Sequence, residues 1–294
     1  MTQTNLPIGD TRLSYSSATL LKNCEQRYYH YKVTKIDKDK DVEESNAFAL
    51  GKAFHHVLEM AMHKKPEKIV NKLEECVELF GIDETEIGLL HAMVIQYLRC
   101  RKKTNLEAIA CEYSLRSETF VGFVDLIEGE REGDGWGKWW ITDLKTAKSF
   151  WSTLTARLPK DRQLNFYASF FRQIAEEFNL DPEKFQGCRY RVTTKSTAKQ
   201  KKSESYTDYV MRMVEGKNVK SYDIAVPKEK MHLNEVVNEM ESLYNRSQEL
   251  RNGDVPIRNY SYCESYFKPC DYWSQCHGSC FSDMREDLEV IKEA

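Results

Sequence analysis

Asp143 and Lys145 stand two residues apart in the stretch Trp140–Ser149, WITDLKTAKS. On a strand, alternate side chains share a face, so this carboxylate and amine point the same way. The run ETFVGFVDLIEG (118–129) carries Asp125 inside an apolar stretch, and EREGDGWG (130–137) after it is rich in turn residues. With the turn near Asp134, an antiparallel hairpin brings residue 125 to within about one position of 143. Two carboxylates in mutual repulsion call for a cation, and hard ions such as Mg²⁺ take oxygen ligands. A lysine beside such an ion orients or deprotonates its water, or stabilises developing negative charge. The competing reading is a solvated hairpin face with a cross-strand ion pair.

Helical segments would have to present the remaining groups. In GKAFHHVLE (51–59), one of His55 and His56 can face the sheet, and His55 shares a helix face with Glu59. Imidazole completes the coordination of a divalent metal. In QLNFYASF (163–170), Gln163 and Tyr167 are four apart on one face, placed to hydrogen-bond a phosphate or orient the lysine.

Around these segments the chain reads as an ordinary globular protein of 294 residues, 41% hydrophobic and 30% charged, with a formal net charge of -3. No global basic field points to nucleic acid, and no run is long enough to cross a bilayer. The polar start, MTQTNLPIGD, sets a reducing cytoplasm as the expected location. Periodicity predicts helices over 17–33 (capped by Ser14, Ser16 or Ser17), 46–64, 66–80, 85–103, 161–178 and 229–251. Strands are predicted over 107–116, 118–129, 138–147 and 187–196. The fold class is therefore α/β or α+β with a central mixed sheet flanked by helices. A single domain over 1–294 is expected: a helical part (1–105), a sheet core (106–200) and a helical, Cys-rich part (201–294).

Nine cysteines are many for a reduced protein. Cys76, Cys100, Cys111 and Cys188 lie in apolar segments and read as small buried side chains. Cys263, Cys270, Cys276 and Cys280 crowd near the C-terminus, and Cys24 stands alone. Zinc remains open, because Cys276, His277 and Cys280 lie close in sequence, and so does an iron–sulfur cluster.

In order, GKAFHHVLE, GFVDLIEG, ITDLKTAKS and QLNFYASF resemble the PD-(D/E)XK nuclease superfamily, in particular its RecB-like, AddB-type exonuclease branch with an iron–sulfur cluster, phage-type members included. The resemblance implies a restriction-endonuclease-like core that hydrolyses phosphodiester bonds in DNA with Mg²⁺ or Mn²⁺. It implies His55, Asp125, Asp143 and the Leu144 carbonyl as metal ligands and Lys145 as the catalytic lysine. Gln163 and Tyr167 become the supporting QxxxY pair, and Glu112 falls where the branch often has a glutamate. Val124 stands where the superfamily's name has proline. The resemblance further implies that Cys24, Cys263, Cys270 and Cys276 hold a 4Fe-4S cluster joining the N- and C-terminal segments, with Cys280 spare. Such a staple restricts the unfolded chain by several kcal/mol in the entropic account. An exonuclease acting on single strands or DNA ends in recombination or repair is expected. A silent DNA-binding scaffold and a CRISPR-adaptation nuclease are the alternatives. No nucleotide-triphosphate motif is present, so a helicase or recombinase partner would be a separate chain. Arg189, Arg191, Lys195, Lys199, Lys201 and Lys202 are candidate phosphate contacts, and Tyr28, Tyr29 and Tyr31 candidate stacking residues.

Overall fold

The computed structural model describes residues 11–39, 46–62, 69–150, 153–265 and 268–278. In chain order, a short strand β1 (Leu13–Ser14) leads into α1 (Tyr15–Asn23) and α2 (Glu25–Tyr28). Ser14 caps α1 by accepting the Ser17 N–H, as its residue type favours. The helix predicted over 17–33 is not continuous. Cys24 is extended, at φ -161° and ψ 111°, and the last turn, Tyr29–Val33, is a π-helix. Helices α3 (Asn46–Met62), α4 (Ile69–Phe80) and α5 (Glu84–Lys102) follow.

Next comes a meander of β2 (Glu107–Arg116), β3 (Phe120–Glu132) and β4 (Gly135–Ala147). The hairpin turn is tighter than its sequence suggests. Glu132 pairs with Gly135, and Gly133 takes φ +57°, a conformation glycine adopts without a Cβ penalty. Then α6 (Thr153–Arg157), α7 (Arg162–Ser169) and α8 (Phe171–Glu177) lead to β5 (Phe185–Thr194). The helix expected over 161–178 is thus two helices, broken at Phe170. The chain goes on through α9 (Tyr206–Glu215) and β6 (Ser221–Pro227), neither of which the sequence reading expects. Helix α10 (Leu233–Arg251), a two-stranded ribbon of β7 (Glu264–Ser265) and β8 (Lys268–Pro269), and α11 (Trp273–His277) complete the described chain. No described helix is long and apolar enough to cross a membrane.

Contacts divide the chain into two compact units. Among the described residues, one takes in those of 46–116 and 122–237, the other those of 11–39, 117–121 and 238–278. The first is a mixed α/β unit. Strands β3 and β4 pair antiparallel, β4 and β5 parallel, and β5 and β6 antiparallel, while β2 also pairs with β3. On one face of the sheet, Leu126 and Leu144 join the core made by α3, α4, α5 and α9. On the other, α7 packs on β4 and β5, and Phe171 of α8 stacks on Phe185. In the second unit, β1 runs parallel to Phe120–Val121, and Arg246 of α10 makes a two-pronged ion pair with Glu25 of α2.

The first face also buries charge. Arg191 is 1% exposed and Glu128 0%. The Arg191 guanidinium donates to Glu128 Oε1 (2.7 Å) and Oε2 (3.2 Å), to Asp223 Oδ2 (3.0 Å) and to the Tyr97 hydroxyl (3.3 Å). Thr142 donates to Glu128 Oε1 at 2.6 Å. These residues stand on β3, β4, β5, β6 and α5, so one network ties four strands to the helix above them. Removing one partner strands the others in a dry interior, typically at a cost of about 3–5 kcal/mol. Glu128→Ala should lose about that much unfolding free energy in denaturant titration, and Glu128→Leu with Arg191→Met should recover most of it.

Candidate active site

The ladder between β3 and β4 ends at Leu126 opposite Thr142. One residue further, Asp125 and Asp143 stand opposite each other where the two strands part. β4 continues as the partner of β5 alone, from Asp143 beside Tyr190 to Ala147 beside Thr194. A backbone N–H left without a ladder partner needs another acceptor. Asp125 supplies it, taking the Leu144 N–H at 2.7 Å on Oδ2. Thr142 and Leu144 face the opposite, packed side, as alternation predicts.

Three groups converge on the free side of Asp125. His55 of α3, Glu112 of β2 and Asp125 are the only described His, Cys, Asp or Glu trio whose candidate ligand atoms all lie within 4.8 Å of one another. The His55 Nδ1 is 3.6 Å from Asp125 Oδ1, too long for a hydrogen bond, and is buried with no partner. Glu112 sits at φ +49°, a left-handed conformation that costs a non-glycine residue about 1 kcal/mol or more and is tolerated where the surroundings demand it. Two carboxylates and an unsatisfied imidazole nitrogen in one buried spot make a donor set suited to a divalent cation. Glu59, which shares the His55 helix face, is not part of the trio.

The lysine is held from the other side. Lys145 Nζ donates to Asp143 Oδ1 at 3.0 Å, lies 2.9 Å from Oδ2, and donates to Gln163 Oε1 at 3.2 Å. Gln163 in turn donates to the Tyr167 hydroxyl at 3.1 Å. Both belong to α7, whose first turn is capped by Asp161 accepting the Leu164 N–H at 2.9 Å. A Cβ at Gly122 would meet the Tyr167 ring at 3.0 Å, so glycine there is what lets this helix approach β3.

Burial acts on every one of these groups, and at some of them the neighbouring charges outweigh it. Burial pushes Asp125 up, but His55, Lys145 and the Leu144 N–H outweigh it and hold the carboxyl below its usual range. Burial pushes Asp143 up to about 7, with Lys145 opposing and Asp125 adding to the rise. Glu112 is likewise pushed up to about 7, by burial and by Asp125. Burial disfavours the charged forms of His55 and Lys145, yet the carboxylates win and raise both.

The proposed phosphate contacts scatter. Lys199, Lys201 and Lys202 are exposed. Lys195 is half-buried, and burial holds its amine below the usual range. Arg189 is engaged by Asp223 at 2.9 Å and lies over the Trp140 ring. Arg191, expected on a DNA path, is instead a core residue: an arginine on an alternating strand reads the same whether its face meets solvent or α5. Tyr28 is also core, at 1% exposure, and cannot stack bases, whereas Tyr31 is 42% exposed.

In the second unit, Cys24, Cys263, Cys270 and Cys276 line one cavity with Arg27 and Tyr272. The extended backbone at Cys24 breaks the helix there, and Cys270 N–H donates to Cys263 O at 2.7 Å. Burial raises the Cys276 thiol, Arg258 lowers it, and Cys270, Cys24 and Cys263 each raise it further, as thiols around one space do. Cys280 lies outside the described residues.

A mixed sheet parts here over two carboxylates, with a lysine beside them and a donor set suited to a divalent cation next to them. The family model of the PD-(D/E)XK nuclease superfamily matches residues 12–277, and the chain belongs to that superfamily. No curated protein matches the chain. Membership implies metal-dependent nuclease activity, and the fold is consistent with a restriction-endonuclease-like core.

Carboxyls pushed up to about 7 must lose protons before they can bind a cation. Mn²⁺ affinity, measured by calorimetry, should therefore rise as pH increases through about 7. Below that range it should fall, and binding should release protons in buffers of different ionisation enthalpy. Glu112→Gln should weaken binding and diminish the proton release.

Proposed function

We propose that this protein is a metal-dependent DNA exonuclease of the RecB-like branch, acting on single strands or DNA ends. The observation that carries this reading is the hydrogen-bonded line Asp143–Lys145–Gln163–Tyr167 set against the His55–Glu112–Asp125 cluster. In it, His55, Glu112 and Asp125 would hold the cation, with Asp143 and the Leu144 carbonyl as further ligands. Mg²⁺ or Mn²⁺ bound there would supply Lewis-acid chemistry. Lys145, kept protonated by its carboxylate neighbours, acts as a fixed positive charge for the non-bridging oxygens rather than as a base. Gln163 and Tyr167 hold that ammonium in one place, which counts because charge stabilisation depends on preorganised geometry. Removing one such charge or donor typically costs about 10²–10³-fold in rate. Lys145→Ala and Asp143→Ala should therefore lose at least that much of the release of nucleotides from end-labelled DNA with Mg²⁺ or Mn²⁺. Wild-type protein that binds DNA but leaves it intact would favour the silent scaffold.

A 4Fe-4S cluster held by Cys24, Cys263, Cys270 and Cys276 is the second part of the proposal. Its support is the cavity that the four cysteines share. Anaerobically purified protein should be brown, absorb near 400 nm, and carry about four irons per chain. Cys24→Ser should remove colour and iron together, while Cys280→Ser should retain both. One zinc per chain and no colour would overturn this part and leave the nuclease part standing.

A further inference from the structure

The catalytic face of the sheet does not end at Lys145. Tyr190 of β5 pairs with Asp143, and Tyr222 of β6 pairs with Val192, the partner of Lys145. Paired residues point to the same face. With strands spaced about 4.8 Å apart, Tyr190 stands one strand from Asp143, and Tyr222 two strands, about 10 Å, from Lys145. Both tyrosines are half-buried. Phe150, three residues beyond the end of β4, turns back and stacks on Tyr222 with centroids 4.1 Å apart and planes at 16°. Among the described residues, β6 is the last strand of the sheet. The Tyr190 phenol is near enough to the site to feel Lys145 and Asp143, and burial pushes it up to about 12, so it stays neutral at working pH.

Neutral, half-exposed aromatic rings at successive strand spacings beside a phosphate-handling cluster suit one class of ligand. Unpaired bases offer a π-face to each ring, while paired bases in a duplex are already stacked on each other. We propose that Tyr190 and the Tyr222–Phe150 pair form a stacking track for the unpaired bases next to the scissile phosphate, which makes single-stranded DNA the preferred substrate. This inference rests on the nuclease reading above and adds the residues that would select the strand state.

Base–aromatic stacking is sequence-tolerant and adds no phosphate neutralisation, which makes it separable from charge. Binding of a fluorescent single-stranded oligonucleotide would be followed by anisotropy with Ca²⁺ in place of the catalytic metal. Tyr190→Ala and Tyr222→Ala should each weaken binding about tenfold, leaving the slope of affinity against salt unchanged. Tyr190→Phe and Tyr222→Phe should bind like wild type. Abasic nucleotides beside the cleavage position should weaken wild-type binding by the same factor, with no further loss in the alanine variants. The abasic arm uses unaltered protein, so it decides the matter even where an alanine variant fails to fold. Cleavage assays should show the preference for single strands over duplex shrinking in the alanine variants. If abasic and intact strands bind wild type equally while DNA is still cut in a metal-dependent way, the track is wrong and the nuclease reading survives. If wild type cuts no DNA with Mg²⁺ or Mn²⁺, the nuclease reading itself falls.

Discussion

The parting of β3 from β4 is the constraint on which the first unit is organised. An antiparallel pair that continued past Leu126 would satisfy the Leu144 N–H with a carbonyl and leave no room between Asp125 and Asp143. Because the ladder stops, Asp125 must accept that N–H itself. A buried donor left unpaired costs about 1–3 kcal/mol, so the carboxylate that opens the site also closes the backbone account around it. Asp125 is only 8% exposed and Asp143 only 3%. Two carboxyls this dry are held in place by the Leu144 N–H and the Lys145 ammonium.

Rigidity is supplied from the opposite face. The buried Arg191–Glu128–Asp223 network links β3, β5 and β6 to each other and to Tyr97 of α5. Such a network adds little net stability compared with an apolar core. Its effect is geometric: it fixes where the strands run just before they diverge, and so where Asp143 and Lys145 stand. The α7 side adds the second support, with Gln163 and Tyr167 bracing the lysine across the sheet.

Most of the secondary structure was legible, because apolar period separates strand from helix wherever a segment is half-buried. The 107–116 strand matches β2 residue for residue. The misses have physical causes. β6 reads Tyr222, Ile224, Val226 in strict alternation, but the segment is short and follows a charged stretch that resembles a loop. The break at Cys24 leaves helical periodicity on both sides intact, so it has no signature in residue types. Arg191 illustrates the limit of pattern reading. Its spacing from Arg189 and Lys195 suggests a basic surface, and only α5 lying over that face turns it into a core ion pair.

Local sequence alone determined that Asp143 and Lys145 share a face, that Gln163 and Tyr167 share another, and that a hairpin brings Asp125 to within about one position of Asp143; the bulge between Gly129 and Arg131 sets the final register. Those relations depend on the two-residue and 3.6-residue periods and on turn length, which neighbours in sequence dictate. Only the tertiary structure decided that the strands separate at that pair, that Glu112 joins His55 and Asp125, and that Cys24 shares a cavity with three cysteines from the other end of the chain. Each of these is a meeting of segments distant in sequence. Their placement follows from how the helices pack on the sheet rather than from any residue's own preference.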